Sequence, residues 1–182
     1  MKYYLTFVLL LVTSISGFAQ AGKVEFTASW EKARGFASNQ FAVWIEDKNG
    51  KYIKTLYATD FTKKGGYKSR PACLPLWRKA SNRDQRSDKI IDSITGATPR
   101  KSGDIKLTWD LTDEAGKKVA PGLYIYKAES NLHQEARSVL TGKIIIGNKP
   151  DKSEASAEYL PSDTEKKTRG IVKLSASFNT SE

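Results

Sequence analysis

The chemistry-bearing residues of this 182-residue chain crowd into one segment, residues 62–101. Eleven Lys and Arg stand there against Asp84, Asp88 and Asp92, a charge of +8. The segment closes on a run of hydroxyl and small residues, Ile91-Asp92-Ser93-Ile94-Thr95-Gly96-Ala97-Thr98-Pro99-Arg100. Cations at this density attract phosphates or an acidic protein surface. Charge runs are also commonly no more than solvated faces, and Thr and Gly at this spacing serve ordinary turn chemistry too.

Elsewhere the side chains that run catalysis are sparse. One His and one Cys leave no Cys/His zinc site, no attached haem and no internal disulfide. His133 with Asp104 or Asp110 and a Ser makes only a nominal triad, since no nucleophile elbow accompanies it and it falls between strands. Cys73 lies between Pro71 and Pro75, near Arg70 and Arg78. Such cations can lower a thiol pKa, but a structural cysteine is the commoner role. Glu158 and Asp163 occupy a polar stretch without paired-carboxylate geometry. With no nicotinamide fingerprint either, the residue inventory argues against an independent enzyme.

The elements that must position the segment read as β-strands. Period-two alternation or β-rich composition between turn signals marks 23–30, 39–47, 51–58, 104–111, 122–130, 137–146 and 169–178. Val24, Phe26, Ala28 and Trp30 share one face; Phe41, Val43 and Ile45 oppose Ala42 and Trp44. Ile105, Leu107, Trp109 and Leu111 form another apolar row, Leu123 and Ile125 oppose Tyr124 and Tyr126, and Val172, Leu174, Ala176 and Phe178 alternate at the end. Asp47-Lys48-Asn49-Gly50 is an Asn-Gly hairpin turn, and Asp113–Gly116 turns the chain again. No later stretch has a helical period. The expectation is all-β: an antiparallel sandwich of about seven strands in a single domain over 20–182. Residues 62–101 form a long basic insertion in it and 148–167 a polar connection to the last strand. A structureless insertion of that length inside a compact domain signals function or a misread element.

The first residues read as an export signal. Lys2 precedes the apolar stretch Tyr3–Ser16, and Gly17-Phe18-Ala19 supplies the small-x-small cleavage pattern. The run is too short to span a bilayer, which takes about 20 apolar residues. Cleavage after Ala19 is expected, with Ala21 as the runner-up. Loss of Lys2 takes the formal charge from +10 to +9, nearly all of it in the insertion. An exported chain in the periplasm or cell exterior has no use for DNA binding, so the charge is not read as a nucleic-acid footprint.

The pattern Asp92-x-x-Thr95-Gly96-Ala97-Thr98 resembles the acceptor motif of proteins that receive FMN covalently from a periplasmic FAD:protein FMN transferase, such as FMN-binding subunits of sodium-pumping NADH:quinone reductase. At average residue usage the five fixed positions recur by chance in roughly one chain of this length per few thousand. The resemblance implies that Thr98 takes the FMN phosphate as a phosphoester and that Asp92, Thr95, Gly96 and Ala97 form the recognition sequence. The residue types suit that role. Gly96 and Ala97 keep bulk from the hydroxyl, Pro99 keeps the segment out of a β-ladder, and Arg100 with Lys101 offsets phosphate charge. Trp44 or Trp77 could cover the flavin ring.

A wider resemblance rests on Trp44–Gly50, Thr55-Leu56, Trp77, the Gly-Ala-Thr motif, Trp109-Asp110 and Pro121–Tyr124. These look like the domain of unknown function 2271 family, small predicted periplasmic proteins whose genes are linked with flavin-transferase and PepSY membrane-protein genes. The stretch from Trp109 through Gly116 to Tyr124 is also similar to the immunoglobulin-like domain of flagellar hook-capping proteins. These resemblances imply an extracytoplasmic electron carrier with FMN on Thr98. Its partners would be the transferase and a PepSY-type membrane oxidoreductase or another redox protein. The rival is a redox-silent immunoglobulin-like binding module whose basic loop grips a partner.

Overall fold

The computed structural model describes residues 22–32, 39–59, 72–86, 95–133, 136–162 and 170–180. The expected export signal, Asp92 and Asp163 lie outside these residues.

The described residues form ten strands in chain order: β1 (Gly22–Glu31), β2 (Gln40–Asp47), β3 (Tyr52–Thr59), β4 (Thr95–Gly96), β5 (Gly103–Trp109), β6 (Gly122–His133), β7 (Ala136–Ile146), β8 (Asp151–Glu154), β9 (Ser156–Leu160) and β10 (Gly170–Thr180). They build a four-stranded sheet, β5-β1-β10-β8, and a six-stranded sheet, β4-β3-β2-β6-β7-β9. All pairings are antiparallel except a two-residue parallel one between β3 and β4. The two sheets make the expected sandwich, with more strands than the seven read from the sequence.

Alternation explains the core. Val24, Phe26, Ala28 and Trp30 of β1 face inward, as do Phe41, Val43 and Ile45 of β2 and Tyr124, Tyr126 and Ala128 of β6. Each large apolar side chain removed from water contributes about 1.5–3 kcal/mol against the entropy of ordering the chain. On β10 a bulge opposite Ser29 and Trp30 shifts the register, so that Trp30 pairs with Ile171. Ile171 is therefore buried, while Val172, read as part of the inward row, is only half-buried. The turns hold as expected. Gly50 adopts φ +80°, its N–H donates to the Asp47 carbonyl at 3.0 Å, and the Asp47 carboxylate accepts from the Asn49 N–H at 2.8 Å.

Two readings need correction. Residues 148–167 are not a plain connection, because they contain β8 and β9. β8 pairs with β10 in one sheet and β9 with β7 in the other, so the chain crosses between sheets at Ala155. The insertion also contains a helix, α1 (Pro75–Ala80), followed by a 3-10 turn at Arg83–Gln85. Trp77, Leu74 and Cys73 pack with Ala42, Trp44 and Ala58 in a second apolar cluster on the outer face of the six-stranded sheet. This is why β2 is buried on both faces.

Candidate functional site

The Thr-Gly-Ala-Thr segment runs along the edge of the six-stranded sheet. Ala58 and Thr59 of β3 stand opposite Thr95 and Gly96 of β4, and the chain then leaves the ladder at Ala97, before Pro99. Ala97 and Arg100 are exposed, and Thr98 is half-buried. Tyr57 fixes the segment from below: its hydroxyl donates to the Ala97 carbonyl at 2.6 Å. A Cβ on Gly96 would lie 2.8 Å from the Tyr57 ring, too close for any side chain. The Tyr57 ring also stacks on Phe41, centroids 5.2 Å apart and planes 14° from parallel. Further along, Ser102 Oγ accepts from the Lys32 N–H at 3.0 Å, which ties the segment to the residue that follows β1.

The rest of the described insertion is docked on the sheet's outer face. α1 begins after Leu74, which has φ +47° and no side-chain oxygen to cap the helix. Glu129 of β6 caps it instead. Its carboxylate, fully buried, accepts from the Trp77 N–H at 2.9 Å and from the Leu76 N–H at 3.4 Å, with Arg137 Nε 3.7 Å away. Burial pushes the Glu129 carboxyl up to about 7, the two N–H donors and Arg137 and Arg78 opposing it. A second tie runs through side chains. Trp77 Nε1 donates to Thr55 Oγ1 at 2.9 Å, which lies 2.7 Å from the Tyr52 hydroxyl. That hydroxyl donates to Glu114 at 2.7 Å, and Arg86 closes the chain by pairing with Glu114 over the Tyr52 ring. Burial holds the Tyr52 phenol above its ordinary range.

These contacts revise the expected roles of several residues. All four Trp are buried to within 1%, so neither Trp44 nor Trp77 offers a face to a flavin. Both fill the seam between insertion and sheet, with Trp44 Nε1 donating to Glu46 at 2.8 Å. The described cations are not one open patch either. Arg83 is buried, Arg86 pairs with Glu114 and Arg78 with Asp84, leaving Lys79, Arg100 and Lys101 exposed among the described ones. Cys73 is buried, which removes the reactive-thiol reading. His133 belongs to β6, paired with Ala136, rather than to a connection between strands. Asp104 and Asp110 are engaged elsewhere: Asp104 accepts from Ser29 Oγ, and Asp110 accepts from Thr112 Oγ1 and Lys54 Nζ. Sequence reading missed Tyr57, Tyr52 and Glu129, whose roles depend on neighbours distant in the chain.

The profile of one protein family, described as Predicted periplasmic protein (DUF2271), matches residues 21–161. No curated protein and no solved structure matches the chain. Among the described residues no helix is long and apolar enough to cross a membrane.

Proposed function

The chain belongs to the domain of unknown function 2271 family of predicted periplasmic proteins, and we propose that it carries FMN covalently on Thr98 as an extracytoplasmic electron carrier. The observation that carries this reading is the placement of the Thr-Gly-Ala-Thr sequence. It lies at a sheet edge, outside both apolar clusters, with Ala97 exposed and Thr98 half-buried. An acceptor for another enzyme's active site has to be reachable in this way.

The residues present fit the group at the phosphate end. Thr98 Oγ would form the ester, and exposed Arg100 and Lys101 would offset its charge. Gly96 leaves room for the end of the Tyr57 ring, which a side chain at this position would meet. Bound flavin supplies one- and two-electron redox chemistry; the sandwich supplies a rigid base and a fixed point of attachment. With every Trp buried, the described part of the chain offers no indole platform, so the holding is done by the covalent ester and the charged flank.

Coexpression with an FAD:protein FMN transferase tests the proposal. Wild-type protein should fluoresce as a flavin band in a denaturing gel, and Thr98→Ala should be dark while remaining folded. Thr95→Ala should keep the acceptor and lose only speed. A folded wild-type protein without flavin beside an active transferase would instead favour the redox-silent binding module.

A further inference from the structure

Resting on the reading of Thr98 as acceptor, we infer that Tyr57 is its positioning residue. The phenol pins the Ala97 carbonyl, one residue before Thr98, and the ring occupies the space that Gly96 leaves empty. Contacts from several described residues converge on this side chain. The hydroxyl donates to Ala97 O at 2.6 Å, the hydroxyl end of the ring fills the space where a Cβ on Gly96 would stand, and the buried Phe41 stacks on the ring. Phe41 is itself held by Trp30, centroids 4.8 Å apart, so the ring rests on buried aromatics and has little freedom to swing. Among the described residues β4 is two residues long and pairs with β3. Such a short ladder frays easily, and the Tyr57 hydrogen bond restrains the residues beyond it.

The kinetic consequence is specific. A segment already held in one shape does not have to be ordered when the transferase engages it, and loosening it lowers the fraction ready to bind. Losing the clamp should therefore raise the transferase's KM for this protein and leave kcat unchanged. A residue that touched the reacting atoms would lower kcat.

Tyr57→Phe is the direct variant, since it keeps the ring on Phe41 and removes only the hydroxyl. In unmodified protein, hydrogen exchange at Gly96, Ala97 and Thr98 should quicken by about three- to tenfold, the range expected for one hydrogen bond. Flavinylation should show KM raised by a similar factor with kcat unchanged. Gly96→Ala should also quicken exchange, and Tyr57→Ala should largely cancel that added effect, because the collision partner is gone. That coupling separates the clamp from recognition of Gly96 by the transferase. Unchanged exchange in Tyr57→Phe, or a fall in kcat at constant KM, would overturn the inference. Absence of flavin on the wild-type protein would instead overturn the proposed function, while exchange would still report on the clamp.

Discussion

Glu129 is a fully buried carboxyl group, and its position dictates a pH dependence. Burial raises it from the ordinary 4.5 to about 7, so the folded protein binds a proton that the unfolded chain has already released. The sign follows from linkage. Its contribution is most favourable below about pH 4.5, declines as pH rises towards 7 and is level above that. A shift of this size corresponds to a few kcal/mol at roughly 1.4 kcal/mol per unit. The denaturation midpoint should fall between pH 5 and 8 in the wild type, and Glu129→Gln should flatten that slope while still accepting from the Trp77 N–H. A slope undiminished in Glu129→Gln would place the titrating group elsewhere. Neither this residue nor Tyr57 was legible in the sequence. A Glu in an alternating strand reads as outward and solvated, and nothing in the sequence says that α1 will cover it.

The elements divide by how much of their reason lies within themselves. β1, β2, β5 and β6 carry their inward rows in the order of their residues, and the sequence shows them. β8 and β9 are short and polar, and they become strands because β10 and β7 offer them open edges; composition alone reads them as a linker. α1 has six residues, fewer than two helical turns, too short to display a period. Its anchor is Trp77, packed among Trp44, Leu74 and Ala58. Trp77→Ala should cost about 3–5 kcal/mol if the seam does not collapse. It should also open the insertion to trypsin at Arg78 and Lys79 before the sandwich is cut. A variant as resistant as wild type would mean that the Glu129 cap and the Arg86–Glu114 pair suffice to hold α1. The Asp92–Thr98 pattern itself was legible, because its residue types and spacing lie within seven consecutive positions. Its support was not, because Tyr57 lies 40 positions before Ala97.

For the whole molecule, charge is the feature that reaches beyond its surface. The formal +10 is partly spent inside the fold, with Arg83 buried and Arg86 and Arg78 paired. Among the insertion's described cations Lys79, Arg100 and Lys101 are the exposed ones, so these three should contribute to the steering of an acidic redox partner. Replacing these three with Gln should slow reduction of the flavinylated protein by a membrane fraction at low salt, and the difference should shrink at high ionic strength. Replacing Arg86 should instead loosen the insertion and destabilise the protein. A triple Gln variant reduced as fast as wild type at low salt would show that these three cations do not steer the partner. The central claim is the ester on Thr98, and peptide mass mapping after coexpression with the transferase tests it most directly. Trypsin releases residues 90–100 as one peptide containing Ser93, Thr95 and Thr98. The account predicts that this peptide gains the mass of one FMN less one water, with fragment ions assigning it to Thr98. Flavin on Ser93, on Thr95 or on another peptide, or an unmodified peptide beside an active transferase, would contradict it.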